Sequence, residues 1–365
     1  MPRILFIAAH RPDRSPSQRY RFEQFTPYWE ANGFQCDHAW IIDEEDDIHF
    51  YRSGALWAKS RIFLKSHKRR REHVQKAGSY DLIFVQREAF MTHSTRFERE
   101  LAATGVPMIY DFDDAIWLMD VSKANRMLRW LKDPAKTAKI VPLATVVIAG
   151  NEFLADYARQ FHSNVVVMPT VIDTARYLPT SPPMATGRPI VVGWSGSLTS
   201  MPHLEQAIPV LQRFQQQYND RVTFRIISDT LLEVPGLRIE NRKWSSATEA
   251  EDLADIDIGI MPLPHNDWSR GKCGFKGLQY MAMARAVVLE EIGVNSTIVR
   301  HGVNGLLAKD DAQWHECLCR LVEEPDLRAR LGSAARETVE ARYSMIAWRD
   351  RYLQLFNELI EQRKK

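Results

Sequence analysis

Long apolar runs are missing from this chain: no stretch approaches the ~18 consecutive apolar residues that cross a bilayer as a helix. Cysteine is scarce. Cys36, Cys273, Cys317 and Cys319 show no metal-ligand spacing, and Cys317 and Cys319 would fall on different sides of a helix, so reduced thiols are expected. Neither sign of charge is in excess, and a net charge of +2 argues against dedicated nucleic-acid binding. The opening MPRILFIAAHRPDR lacks the longer apolar core and the cleavage site of a signal peptide. The expectation is a protein working inside the cell, cytoplasmic or peripheral on the cytoplasmic face of a membrane. Glycine is absent from AAHRPDRSPSQRYR, the loop after the first strand candidate. That removes the dinucleotide fingerprint and leaves a NAD-type oxidoreductase without support. Internal repeats and extended low-complexity segments are also absent.

What is present is an ordinary globular composition, 45% hydrophobic and 26% charged over 365 residues. At ~150 residues per domain, two domains follow. Strand candidates recur between helical stretches: ILFIAA, DLIFVQ, MIYDF, TVVIAG and NVVVMP, then, after a break, IVVGWSG, VTFRIIS, LRIEN, DIGIMPL and AVVLE. Short unalternating β-branched runs spaced by helices indicate parallel sheets covered on both faces. The break is PTSPPMATGR, Pro179 to Arg188, a proline-rich linker. The expected organisation is α/β: a Rossmann-like domain over 1–178, the linker over 179–188 and a second Rossmann-like domain over 189–342. A final helix over 343–365 packs back on the first domain. Ligands of open α/β sheets bind beyond the carboxyl ends of the strands, which directs attention to the loops there.

Gly271 to Val288, GKCGFKGLQYMAMARAVV, reads as a glycine-opened helix N-terminus leading into a buried strand. First-turn amides of a helix lack intrahelical partners and the dipole adds positive charge, so such an end suits phosphate, with Lys272 and Lys276 beside it. Phe275, Leu278, Met281 and Ala282 fall at helical spacing toward the core, and Gln279 stands off that stripe, toward a ligand. In the first domain Arg11, Arg14, Arg19 and Arg21 crowd one loop, and guanidinium groups suit phosphate or carboxylate. Asp111, Asp113 and Asp114 in YDFDDAIW could cap the following helix or face a ligand, and no metal held by the protein is expected.

YDFDD, VIAGNEFLADYA, VVVMPTVIDTARY, VVGWSGS, and DIGIMPLPHNDWSRGKCGFKGLQYMAMARAVV followed by GVNSTIVRHGVNGLLA together resemble family 4, or group 1, of the nucleotide-sugar-dependent glycosyltransferases of GT-B fold. The resemblance covers nearly the whole chain. It implies two Rossmann-like domains facing each other across a cleft, the second binding the nucleotide sugar and the first the acceptor, with retaining transfer. It places Gly196, Ser197, Trp244, Arg270, Lys272, Gly274, Phe275, Lys276 and Gln279 at the donor, and Arg11, Arg19 and Asp113 at the acceptor. Asp111 and Lys272 take the catalytic roles. The implied donor is a UDP- or GDP-linked sugar, and the acceptor is a glycan or a lipid-linked carrier.

The departures define a subgroup. Where the family carries two glutamates across the glycine turn, this chain has Gly271 and Gln279, with GKC, 271–273, in place of the glutamate turn; where many relatives place an arginine and a lysine, it has Ser197 and Pro202. Diphosphate neutralisation then falls to Arg270, Lys272 and Lys276. The missing glutamates raise two rivals to a transferase: a sugar-nucleotide-binding scaffold without turnover, and a GT-B nucleotide-sugar epimerase or hydrolase. Finally, Tyr51 to His73 joins Leu56, Trp57, Ile62, Phe63 and Leu64 to the cluster Lys68 to Arg71. A basic amphipathic helix of this kind can lie on anionic lipid, or pack on the first domain with a solvated basic end.

Overall fold

The computed structural model describes residues 1–51, 54, 56–118, 133–179 and 187–364. The chain divides into two compact units, Met1–Thr170 with Trp348–Lys365, and Val171–Ala347. Most of the proline-rich stretch assigned to a linker, 180–186, lies outside the described residues.

Unit one holds β1 (Arg3–Ile7), β2 (Gln35–Ala39), β3 (Leu82–Gln86), β4 (Met108–Phe112), β5 (Val146–Ala149) and β6 (Val165–Val167). They form one 6-stranded sheet in the order β2-β1-β3-β4-β5-β6, parallel throughout. Unit two holds β7 (Ile190–Ser195), β8 (Val222–Ser228), β9 (Ile239–Lys243), β10 (Ile258–Met261), β11 (Ala286–Glu290) and β12 (Leu306–Ala308). Its 6-stranded parallel sheet runs β12-β11-β10-β7-β8-β9. The α/β class and the pair of Rossmann-like sheets are as expected. Every residue of β3, β4, β5 and β11 is buried, which is why their sequences do not alternate. β2 and β12 were not anticipated. Both are edge strands; QCDHA is polar and LLA is only 3 residues long, so neither gives an apolar strand signal.

Each sheet reverses its direction of growth once. In unit one the chain steps from β1 out to β2 and returns to β3; in unit two it steps from β7 through β8 to β9 and returns to β10. Loops leaving adjacent strands at such a point diverge to opposite faces and open a crevice beyond the carboxyl ends.

In unit one Phe6 stacks on Phe22 at 5.1 Å and on Trp29 at 5.5 Å. The terminal helix Met345–Lys364 adds Tyr352 and Phe356, whose rings meet Phe25 at 4.9 Å and Trp29 at 5.0 Å. In unit two, β7, β8, β10 and β11 bury their apolar side chains with those of the helices Ile208–Tyr218 and Asp311–Glu323.

Candidate functional site

In unit two the strand order reverses between β7 and β10, where a ligand crevice of such a sheet is expected. After β10 the chain forms the short helix Asp267–Arg270, started by Asn266, whose side chain accepts from the Ser269 amide at 2.9 Å. Gly271 ends it in a right-handed conformation, and Gly274, at φ 67°, opens the helix Phe275–Ala282. That left-handed geometry favours glycine. A Cβ on Gly274 would also stand 2.4 Å from Cδ1 of Ile298, so that side-chain end would have to shift. Leu278, Met281 and Ala282 are buried as their spacing requires, and Phe275 is half-buried.

This helix is tied to the end of β7 at both of its ends. The Ser195 amide donates to the Tyr280 hydroxyl at 2.8 Å, and Lys276 Nζ stands 5.4 Å from the centre of the Trp194 ring. Lys272 Nζ lies 4.2 Å from the centre of the Trp268 ring, and Arg270 pairs with Asp267 at 3.1 Å. Aromatic faces attract ammonium groups through the ring quadrupole, which helps to fix where these two stand. Beyond β7, Gly196 leaves room for its neighbours: a Cβ there would sit 2.3 Å from the Trp194 ring and 2.6 Å from Ser200 Oγ. Ser197 and Thr199 share a hydroxyl–hydroxyl bond of 2.9 Å, and the Leu198 amide donates to Asp229 at 2.9 Å.

Gln279 corrects an expectation. It does not stand on an open face; it is buried, and its amide donates to the Tyr177 hydroxyl at 3.2 Å. Tyr177 in turn donates to Glu249 at 2.7 Å, and Glu249 also accepts from Trp244 Nε1 at 3.1 Å. Trp244 and Gln279 are thus joined through a buried carboxylate that sequence reasoning did not single out. A second such carboxylate is Glu290, at the end of β11. It accepts from His265 Nε2 at 2.8 Å, Trp314 Nε1 at 3.1 Å and the Leu263 amide at 3.4 Å, binding together the loops after β10 and β11. Burial pushes its carboxyl up, and the His265 hydrogen bond opposes that.

In unit one the order reverses between β1 and β3. Asp111 was expected to meet sugar or acceptor; instead Asp111 and Arg21 are both 0% exposed and form an ion pair. Arg21 Nε stands 3.1 Å from one carboxylate oxygen and 3.2 Å from the other, and its Nη1 donates to the Met168 carbonyl at 2.6 Å. Full enclosure leaves the carboxylate no exposed surface, and Arg21 is its ion-pair partner. Asp113 is less enclosed, its side chain 10% exposed. It accepts from Ser17 Oγ at 2.7 Å and from Arg87 Nε at 2.9 Å, while Gln86 donates to Ser17 at 2.7 Å. Burial works to raise the Asp113 carboxyl, but Arg87 and Arg21 hold it below its ordinary value. Arg87 adopts φ 61°, a left-handed conformation unusual for its type, held by its own amide donating to the Asp111 carbonyl at 2.7 Å and by Tyr110 donating to its carbonyl at 2.7 Å.

The arginines of the first loop are matched by acids. Arg11 meets Asp47 at 3.2 Å and Glu44 at 3.4 Å, Arg14 also binds Asp47, and Arg19 meets Asp13 at 3.4 Å while lying over the Tyr20 ring. Nearby, Tyr51 bonds His10 Nε2 at 3.0 Å, and burial followed by the charge of Arg14 lowers the His10 pKa to about 4. Among the described residues no group of three or more His, Cys, Asp or Glu is arranged to hold a metal ion.

Residues 189–324, inside unit two, match the family Glycosyl transferases group 1. A curated relative, D-inositol 3-phosphate glycosyltransferase of Thermobispora bispora, is 30% identical over 132 residues, which are 36% of this chain and 28% of that protein. Solved structures resemble the chain along its whole length. Sucrose-phosphate synthase from Thermosynechococcus elongatus gives a TM-score of 0.71 at 14% identity, covering 99% of this chain and 100% of the other. Anabaena HepE, solved with UDP and glucose, gives 0.69 at 16% identity, covering 98% and 100%. Trehalose 6-phosphate synthase from Burkholderia multivorans gives 0.65 at 14% identity, covering 100% and 98%. At these identities the likeness is one of fold. In its fold the chain is thus of the two-domain GT-B class, and over 189–324 it matches the group 1 glycosyltransferases.

Proposed function

We propose that the protein is a glycosyltransferase that moves a sugar from a nucleoside-diphosphate sugar to a hydroxyl of a glycan or lipid-linked acceptor inside the cell. The observation that carries this reading is the helix opened by Gly274 at the β7–β10 crevice, with Lys272 and Lys276 beside it, within the segment that matches the group 1 family. The diphosphate lies at that N-terminus, where backbone dipoles and the two ammonium groups stabilise the charge that builds on the leaving group. Removal of one such preorganised donor typically costs ~3 kcal/mol of barrier reduction. Arg270, Phe275, Gly196 and Ser197 line the same donor, and Gln279 and Trp244 stand behind it through Tyr177 and Glu249.

Transfer proceeds with retention: the acceptor hydroxyl attacks from the leaving-group side, and a leaving-phosphate oxygen takes its proton. The donor is UDP- or GDP-linked; HepE, solved with UDP and glucose, supports UDP. Acceptor recognition falls to unit one, where Asp113, held as a carboxylate by Arg87 and Ser17, meets hydroxyl groups, with Arg11 and Arg19 on the same loop system. Gly271 and Gln279, in the places of the family's glutamates, define the GKC subgroup and favour a second reading, nucleotide-sugar binding or hydrolysis without transfer.

The test is incubation with UDP- and GDP-sugars, with and without hydroxyl acceptors, followed by product analysis and by the same assay on Lys272→Ala. Glycoside product that Lys272→Ala fails to make supports the transferase. Binding without turnover identifies the scaffold, and free or isomerised sugar without acceptor identifies the hydrolase or epimerase.

A further inference from the structure

The helix Leu56–Lys76 of unit one carries Glu72 as its sole acid and turns two unlike stripes in opposite directions. Ile62, Ser66, Arg70 and Val74 form the inner stripe. Ser66 donates to the Ile41 carbonyl at 2.9 Å, and Arg70 donates to the carbonyls of Ala39 at 3.0 Å and Ala8 at 2.6 Å. These bonds fix the helix against the carboxyl ends of β1 and β2 and so fix which side faces outward. The outer stripe is Trp57, Arg61, Leu64, Lys68 and Arg71, at the i, i+4, i+7, i+11 and i+14 positions that share one helix face. Trp57 is 91% exposed and Leu64 68%. On the flank, Lys65 and Arg69 are bound by Asp43 and Asp46, whereas Arg61, Lys68 and Arg71 have no ion-pair partner among the described residues.

Large apolar side chains interleaved in single file with uncompensated cations are poorly suited to a protein partner's apolar groove, which would strand the charges. They suit an anionic lipid surface, where the indole and the leucine enter the headgroup boundary and the cations meet lipid phosphates. Among the described residues no helix is long and apolar enough to cross a membrane, so the association is superficial. We propose that the stripe Trp57 to Arg71 docks unit one on a membrane rich in anionic phospholipid. The proposal stands on this face alone and does not depend on the donor reading, though it places the protein where a lipid-linked acceptor would be met.

The test is co-sedimentation of the full chain with vesicles of phosphatidylcholine alone and of phosphatidylcholine mixed with phosphatidylglycerol, at low and high salt. Binding is expected only with phosphatidylglycerol and should be released by salt. Lys68→Glu with Arg71→Glu should weaken it by roughly tenfold or more, and Trp57→Ala with Leu64→Ala should abolish retention at moderate salt, with circular dichroism and donor affinity unchanged. Wild-type protein that ignores anionic vesicles, or variants that bind them as wild type does, overturns the proposal. So does a self-association, seen by sedimentation velocity, that Trp57→Ala removes, since that would make the face an interface between copies.

Discussion

Asp111→Asn separates a buried structural charge from a reacting one. Asp111 and Arg21 are both fully enclosed, with Arg21 Nε within 3.1 and 3.2 Å of the two carboxylate oxygens. Asparagine keeps the volume but removes the countercharge and one of the two acceptor oxygens, leaving a buried guanidinium facing only neutral acceptors, the new amide oxygen and the Met168 carbonyl. Breaking one partner of a buried ion pair costs about 3–5 kcal/mol, which for a unit of this size lowers the melting temperature by roughly 10 °C. Urea and thermal unfolding followed by circular dichroism read the loss, and calorimetric titration with a UDP-sugar should show donor affinity intact, because Gly274 and Lys272 belong to the other unit. Replacing the pair together, Arg21→Met with Asp111→Leu, should recover much of the stability, since a buried pair often exchanges for apolar residues near neutrality. If Asp111→Asn unfolds like wild type while transfer collapses, the carboxylate is part of the chemistry and the structural assignment is wrong.

Gly274→Ala should cost about 1–2 kcal/mol for the left-handed backbone, with the Ile298 side-chain end, 2.4 Å from the new Cβ, shifting to make room; chemical denaturation monitored on unit two checks this. Tyr177→Phe deletes the hydroxyl that donates to the buried Glu249 and accepts from the Gln279 amide, a loss of about 1–3 kcal/mol, read from the same denaturation curves. Unit one should also weaken in mild acid. Burial lowers His10 and His73 from 6.5 to about 4, so the unfolded chain takes up protons that the folded one refuses. That stability is complete above pH 6.5 and is lost as pH falls toward 4, a change on the order of 1–3 kcal/mol per site. Unfolding midpoints across that window should fall less steeply in His10→Gln with His73→Gln.

Much of the fold was legible because buried parallel strands leave unmistakable runs: LIFVQ, MIYDF and AVVLE lie wholly inside. The edges were not, since QCDHA is paired on one side only and needs no apolar pattern. The glycine-opened helix was also readable, because Gly, helical spacing and two lysines coincide in one short segment; that Gly274 is the left-handed residue is seen only in the structure. Long-range pairing was what the sequence hid. Nothing local announces that Asp111 is consumed by Arg21, that Gln279 turns inward to Tyr177, or that Glu249 and Glu290 tie Trp244 and His265 into place. Ser17 and Arg87 gain meaning only once β1, β3 and β4 are side by side.

Titration of UDP-sugar into wild type and into Lys272→Ala with Lys276→Ala tests most directly whether the diphosphate sits at the N-terminus of Phe275–Ala282. Charge-assisted hydrogen bonds are worth about 1.5–3 kcal/mol each, so the double variant should bind at least roughly a hundredfold more weakly, while uridine, which has no phosphate, should bind both proteins alike. Equal UDP-sugar affinity in the two proteins would contradict the account.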